Sequence, residues 1–281
     1  MYLRIEDYYR TGQIAQANFF QILEQGIGVS GDEDIIETAE LLATEEVKSY
    51  LSGRYRTDDV FKPLNVFDAS TNYYYGDRIN LTADDYANGT SYTVGIRVVY
   101  QSKVYECILN TTGNLPTNAT YWEYLGLEGL YYVPFPTKWD DRIFYAVSDK
   151  VYYNGIVYSR RDVAGYKEGI VPTDTNYFDL ITVANYPAVT GVNPSDATKW
   201  TYGDNRNMMI VKCTITIVLY HIHRLINPRN IPAVRESDYT NCIAFLKDIA
   251  RGKANMDLPT YTAQTGYMLR AGSNEAYNNT Y

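Results

Sequence analysis

Apolar residues recur at helical spacing in the N-terminal part of the chain. From Ile35 to Leu51 they return every three or four positions, as on one face of an α-helix. Ser30 precedes this pattern and is followed three residues later by Glu33, the spacing of a capping box. These features predict one amphipathic helix over residues 31–55.

Three further segments have the length or periodicity of helices. Residues 239–250 carry apolar side chains at helical spacing and end just before Gly252, a typical helix stop. A shorter helix is predicted over residues 13–25. The stretch Met208–Ile226 is ambiguous, because its many β-branched residues suit a strand whereas its length suits a buried helix.

The middle of the chain, residues 69–203, has a different pattern. It holds 19 of the 30 tyrosines and consists of short apolar runs separated by turn residues, which indicates β structure. Asn154-Gly155 lies between two such runs and is a strong hairpin signal, and Gln101-Ser102 separates another pair. We therefore expect small antiparallel sheets here.

The same region repeats itself. Residues 94–105 match residues 147–158 at a shift of 53, and residues 116–123 match residues 172–179 at a shift of 56. Residues 193–200 resemble the second half of the repeat and form a degenerate third copy of that half. The repeat predicts two small β modules of similar structure.

Charge follows the same division of the chain. The 281 residues carry a net charge of −8, which argues against wrapping nucleic acid by phosphate neutralisation. Residues 1–68 carry −7, residues 69–203 carry −4 and residues 204–281 carry +3. An acidic helical start and a basic helical end favour a helical domain whose two parts meet and which is split by an insertion.

The predicted fold class is therefore α+β: a split α-helical domain with an inserted pair of small antiparallel β modules. The predicted organisation begins with a first helical part (residues 1–68), followed by a first β module (69–135) and a second β module (136–203). A second helical part (204–256) and an extended C-terminal arm (257–281) complete the chain.

Several classes of protein are disfavoured by the composition. Cys107, Cys213 and Cys242 are far apart and form no CxxC pair, so neither a disulfide framework nor a zinc site is predicted. No signal peptide is evident at the start of the sequence. Charged residues and histidines interrupt Met208–Ile226, leaving an apolar run too short to span a bilayer, so we expect a soluble protein without membrane contact.

The order of the repeat resembles a known family. A hairpin with tyrosine, a proline-containing loop and an aromatic pair is similar to the carbohydrate-binding modules of family 5/12, over residues 90–126 and 139–182. The resemblance implies that sugar rings stack on exposed aromatic faces. The candidate residues are Tyr121, Trp122, Tyr177 and Phe178. The alternative, favoured for modules this small, is that these aromatics form the module core.

The helical ends resemble a second family, the phage head-tail connector (adaptor) proteins. Residues 43–55, ATEEVKSYLSGRY, are similar to a family helix that ends in a Tyr-Leu, Gly/Ser, Arg-Tyr pattern. Residues 239–253, YTNCIAFLKDIARGK, are similar to the last helix of that family, and residues 3–8 fit its opening segment. The resemblance covers about 125 residues, under half of the chain, and the large β insertion departs from the compact family member.

The connector resemblance implies a ring of twelve copies that docks beneath the portal, lines the DNA exit channel and joins the capsid to tail or neck proteins. Double-stranded DNA would pass through the channel without specific binding. The implied location is the virion neck, after assembly in the host cytoplasm. Candidate ring or portal contacts are Arg54, Tyr55, Lys247, Arg251, Lys253, Tyr261 and Tyr267.

Catalytic chemistry is not predicted. His221 and His223 form an isolated HxH pair without a third ligand, and a core or interface role is the better interpretation. Phosphate-binding and nucleophile-elbow motifs are absent from the sequence. We expect a structural protein without metal or cofactor, and the alternative is a multimeric glycan-binding protein.

Overall fold

The computed structural model describes residues 2–11, 14–15 and 32–260. Within these ranges the protein is α+β. The predicted helix over residues 13–25 and the C-terminal arm after Thr260 lie almost wholly outside the described residues. The helices are α1 Ile5–Arg10, α2 Asp32–Leu51, α3 Thr57–Val60, α4 Met208–Ile226 and α5 Ala233–Ala250.

The β-strands all lie between α3 and α4. They are β1 Leu64–Val66, β2 Arg78–Leu81, β3 Asp84–Asp85, β4 Ser91–Tyr92, β5 Arg97–Tyr100, β6 Lys103–Cys107, β7 Thr111–Thr112, β8 Trp122–Leu127, β9 Gly129–Tyr132, β10 Lys150–Tyr153, β11 Ile156–Arg160, β12 Phe178–Ile181 and β13 Thr201–Tyr202. A short 3₁₀ turn, Val183–Asn185, follows β12.

The helical core takes residues from both ends of the chain. Helices α2, α4 and α5 pack against one another in all three pairs. Ala39, Ala43, Val47 and Leu51 of α2 are completely buried, and the inner face of α5 is buried at three positions one helical turn apart. This single core is built from the helices on either side of the β region.

Helix α4 resolves the ambiguity of its sequence. Asn207 caps its N-terminus, because its side-chain oxygen accepts hydrogen bonds from the amides of Met209 at 3.1 Å and Ile210 at 3.3 Å. By length and composition α4 could cross a membrane, but 56% of the apolar window is buried inside the protein, as in the core helix of a globular domain. The charged residues and histidines that interrupt its apolar run lie within one continuous helix.

Three sheets in the β region share one three-stranded arrangement. We call them module A (β2-β9-β13), module B (β5-β6-β8) and module C (β10-β11-β12). In each module the middle strand pairs antiparallel with both neighbours. The two predicted copies are modules B and C, and the structure adds a third with the same antiparallel strand pairing.

Module A is assembled from three separate pieces of the chain. Module B is inserted between β2 and β9, and module C is inserted between β9 and β13. The degenerate copy predicted at residues 193–200 leads into β13, the third strand of module A. The modules are therefore nested, and the strands of module A span both predicted module segments.

The same turn precedes the third strand of every module. A proline is followed two residues later by Asn or Asp and six residues later by a large aromatic residue. The Asn or Asp side chain accepts a hydrogen bond from the amide two residues on, and its carbonyl accepts from the amides three and four residues on. The aromatic residues so positioned are Trp122, Phe178 and Trp200, all buried.

The hairpin turns agree with the sequence pattern. Asn154 and Gly155 join β10 to β11 with φ angles of 48° and 83°, both in the left-handed region. A side chain at Gly155 would also collide with the carbonyl oxygen of Thr260, 2.9 Å from the ideal Cβ position. Gln101 and Ser102 form the corresponding turn of module B, again with positive φ angles.

A buried ion network joins the N-terminal segment to the entry of α4. Arg206, whose side chain is fully buried, donates to both carboxylate oxygens of Asp7, at 2.7 and 3.0 Å, and to Asp204 at 2.7 Å. It also donates to the carbonyl of Tyr2 at 2.8 Å. Glu40 of α2 accepts from the backbone amides of Tyr2 and Leu3. The first residues of the chain are thus fixed by two charged side chains, those of Arg206 and Glu40.

These contacts change the protonation equilibria of the network. Burial alone would lower the pKa of Arg206, but its hydrogen bonds with Asp204 and Asp7 raise it. Burial likewise opposes ionisation of Asp204, yet hydrogen bonding with Arg206 lowers the pKa of that carboxyl below its ordinary value of 3.8. Asp204 therefore adds stability that is present above this value and is lost as the pH falls through its folded pKa.

We predict that Arg206→Ala lowers the free energy of unfolding by about 3–5 kcal/mol, because the buried Asp7 carboxylate loses its two-pronged partner and keeps the contact with Arg4 alone, while Asp204 also loses its partner. Urea denaturation followed by circular dichroism measures this difference. The control is Arg251→Ala, which removes an exposed arginine and should cost less than about 0.5 kcal/mol. A loss below about 1 kcal/mol for Arg206→Ala would contradict the assigned role.

Candidate assembly surfaces

Arg54 and Tyr55, two predicted ring or portal contacts, are used inside the molecule. The Arg54 guanidinium donates to the carbonyl of Ile249 at 2.7 Å and to Asn255 at 2.9 Å, so it caps the C-terminus of α5. Tyr55 is only 2% exposed, and its hydroxyl accepts from the amide of Met256 at 3.2 Å. The expectation that Tyr55 contacts a partner is wrong in this conformation, because the residue is buried.

This internal role also explains where α2 ends. The helix stops at Leu51, four residues before the predicted boundary, and the chain turns so that Arg54 and Tyr55 reach the end of α5. The arginine and tyrosine of the connector-like pattern therefore join the two helical parts.

Lys247, Arg251 and Lys253 remain exposed at the C-terminal end of α5. Their positive charges lie where the helix dipole favours cations. Lys253 has an acidic neighbour in Asp248, at 4.0 Å, and both side chains are about half-exposed or more. We call these three residues the basic end.

The outer surface of α2 has the opposite character. Glu37 and Glu45 are exposed, and between them lie two exposed leucines, Leu41 with 62% and Leu42 with 49% of their surface accessible. Lys48 forms an exposed pair with Glu45 at 2.8 Å, one helical turn away. We call Glu37, Leu41, Leu42 and Glu45 the acidic face; it combines charge with unpartnered apolar surface.

Tyr261 and Tyr267, the other two candidate contacts, lie outside the described residues. The chain leads towards them through a defined exit: Thr260 forms an isolated β-bridge with Tyr55, and the amide of Arg56 donates to the carbonyl of Pro259 at 2.8 Å. The arm therefore starts at the junction of the helical core and module C.

The predicted stacking residues divide into two kinds. Trp122 and Phe178 are 2% and 1% exposed and form the cores of modules B and C, so neither can present a face to a sugar ring. The Trp122 indole N–H also donates inwards, to the carbonyl of Asn114 at 3.1 Å. Tyr121 and Tyr177 are half-buried and pack against these cores. For Trp122 and Phe178 the core interpretation is the correct one.

The exposed aromatic surface lies two residues after each core aromatic instead. Tyr124 and Tyr202 occupy this position in modules B and A, with 40% and 53% of their surface accessible, and Leu180 occupies it in module C. Each tyrosine packs on a middle-strand tyrosine, with ring centroids 5.6 Å apart for Tyr105–Tyr124 and 5.1 Å for Tyr131–Tyr202. This position was not predicted from the sequence, although its regular spacing from the core aromatic could have identified it.

His221 takes part in a polar contact between three helices. Its Nε2 lies 3.1 Å from one carboxylate oxygen of Glu46, and the other oxygen accepts from the Tyr239 hydroxyl at 2.6 Å. This hydrogen-bonded group ties α2, α4 and α5 together. Among the described residues, no cluster of three or more His, Cys, Asp or Glu side chains could hold a metal ion.

Comparison with known proteins does not identify a relative. No protein-family model matches the chain, and a search of curated proteins finds no significant match.

We predict that Trp122→Ala destabilises the protein by about 3–5 kcal/mol, because it removes the largest side chain from the core of module B. The matched control is Tyr124→Ala on the same strand, which should cost less than about 1 kcal/mol since the ring is partly exposed. Denaturant unfolding monitored by tryptophan and tyrosine fluorescence distinguishes them. Equal effects would show that Trp122 is not the core residue of its module.

Proposed function

We propose that the protein is a structural virion protein, the subunit of a head-tail connector (adaptor) ring that docks beneath the portal and joins capsid to tail. In this proposal residues 1–68 and 204–256 form the split helical connector domain. The packing of α2, α4 and α5 into one core supports this division, as does the contact of Arg54 with the end of α5.

The observation that carries the proposal is the pair of oppositely charged surfaces on one helical core. The acidic face lies on α2 and the basic end lies on α5. In a cyclic homo-oligomer each interface joins one surface of a subunit to a different surface of its neighbour. Opposite charges on two different surfaces suit this contact and disfavour the pairing of identical surfaces.

The exposed leucines give such an interface an apolar centre. Leu41 and Leu42 lie between Glu37 and Glu45 in the sequence, and Leu41 lines a depression of about 260 Å³ together with Phe61 and Pro63. Interfaces of stable complexes typically bury apolar residues at their centre and leave charges at the rim. The acidic face has this arrangement.

The remaining parts have corresponding roles in the proposal. The net charge of −8 disfavours adhesion of double-stranded DNA to the channel wall, so DNA passes without specific binding. The β modules project from the ring and decorate the neck or contact neck and tail proteins. The arm after Thr260 can add contacts to the portal or to a neighbouring subunit. The ring of twelve copies, its location in the virion neck and its assembly in the host cytoplasm rest on the family resemblance.

We predict that native mass spectrometry of the full chain, alone and mixed with its candidate portal, detects a ring-sized complex. Reversing the basic end with Lys247→Glu, Arg251→Glu and Lys253→Glu should weaken association by about tenfold or more, equivalent to about 1.4 kcal/mol. The control reverses three exposed lysines of the β modules, Lys150, Lys167 and Lys199, and should leave assembly unchanged.

A second set of substitutions tests the pairing of surfaces. Adding Glu37→Lys and Glu45→Lys to the reversed basic end restores opposite charges and should recover assembly. A chain that stays monomeric with and without the portal would contradict the connector proposal.

A multimeric glycan-binding protein is the second candidate function. It is favoured by the exposed rings of Tyr124 and Tyr202, which occupy equivalent positions on the third strands of two modules. Each ring is backed by a second tyrosine that holds its orientation. Exposed, oriented aromatic faces are suited to stacking on sugar rings.

We predict for this alternative that insoluble chitin retains the wild-type chain and that Tyr124→Ala with Tyr202→Ala reduces binding about tenfold or more. The control is Phe144→Ala, which removes an equally exposed aromatic ring from another position. If chitin does not retain the wild-type chain, the glycan-binding candidate is wrong for this polysaccharide.

A further inference from the structure

Helices α4 and α5 border an open groove of about 870 Å³. Its walls combine apolar side chains with thiols and hydroxyls from both helices: Met209, Cys213, Thr216, Asn241, Cys242 and Phe245. A groove of this size admits a small molecule of several hundred daltons. The role proposed above does not use this groove.

Two cysteines from different helices meet at this groove. Cys213 on α4 is buried, whereas Cys242 on α5 is partly exposed. Both cysteines are free, and they line the same groove on two helices that pack together. The partly exposed thiol of Cys242 therefore has a second, buried thiol beside it.

The environment makes the two thiols unequal. Interaction with Cys213 lowers the pKa of Cys242 against the opposing effect of burial, and Thr216 and the positive charge of Lys212 act in the same direction. Interaction with Cys242 and burial raise the pKa of Cys213. Of the two thiols, Cys242 is therefore the one that ionises more readily.

We propose that Cys242 and Cys213 form a thiol–disulfide exchange site that takes small disulfides of the glutathione type from the groove. Cys242 is the attacking group and Cys213 is the resolving group. The site consists of residues of α4 and α5 in a single chain, so it is independent of the proposed connector function.

The chemistry proceeds in two balanced steps. The Cys242 thiolate attacks one sulfur of the small disulfide, forming a mixed disulfide and releasing one small thiolate. Cys213 then loses its proton and attacks the Cys242 sulfur, forming the Cys213–Cys242 disulfide and releasing the second small thiolate, which takes up a proton. The protein loses two electrons and two protons, and the small disulfide takes them up and is reduced to two thiols.

The groove offers further groups that can position the small disulfide. Lys212 and Arg235 are the cationic groups of its lining, and Asp238 is the acidic one. A disulfide of the glutathione type carries carboxylates and ammonium groups. The carboxylates can pair with the cationic groups of the groove, and the ammonium groups can pair with Asp238. The product covalently links α4 to α5, whereas Cys107, buried inside module B, cannot react in the folded protein.

Intact-mass spectrometry of the full chain with oxidised glutathione at neutral pH tests the proposal. Wild type is expected to lose two hydrogens and to retain no glutathione, with peptide mapping locating the bond at Cys213–Cys242. Cys213→Ser should stop at the mixed disulfide, with one glutathione on Cys242. Cys242→Ser should remain unmodified, because the remaining thiols are buried.

Two results would overturn the proposal. One is an unmodified wild type under conditions in which a cysteine-containing reference peptide exchanges. The other is a wild type that stops at the glutathione adduct, since Cys213 is then not the resolving thiol. Circular dichroism confirms that each variant retains its helices.

Discussion

The buried guanidinium of Arg206 is the contact on which the arrangement of the helical core depends. Arg206 lies between β13, which completes module A, and Asn207, which caps α4. Through Asp7 it fixes α1, and through the Tyr2 carbonyl it fixes the start of the chain. A buried cation must be fully paired to be tolerated, so these segments are held in one relative position.

The β region can be inserted into this core because its two ends lie side by side. Arg78 of module A donates to the carbonyl of Val60, just before the insertion, and to the side chain of Asn205, just after it. The same principle applies within the region, since module B leaves and rejoins module A at the paired residues Leu81 and Gly129. A folded insertion whose ends are adjacent closes a loop at little extra entropic cost.

Local patterns in the sequence predicted the elements but not their assembly. The helix periodicity, the Asn154-Gly155 hairpin and the two module repeats are properties of short segments, and the structure confirms them. Only the last part of module A was predicted, as the degenerate copy at residues 193–200, because its three strands are separated by whole modules. The sequence left the core and stacking interpretations of Trp122 both open, and it placed Tyr55 at a contact. An aromatic residue in a small domain serves equally well as core or as contact, and only tertiary packing decides between them.

The charge difference between the two helical parts was predicted from composition, but the positions of the charged side chains in the fold could not be predicted in this way. One ion pair, Asp7–Arg206, uses opposite charges from the two ends inside the molecule. The charges of the acidic face and of the basic end are exposed. Their ion pairs are local ones, Glu45 with Lys48 and Lys253 with Asp248. Exposed pairs of this kind contribute little to the stability of a single chain. They contribute more where a neighbouring subunit excludes water around them, which is the arrangement of the proposed ring.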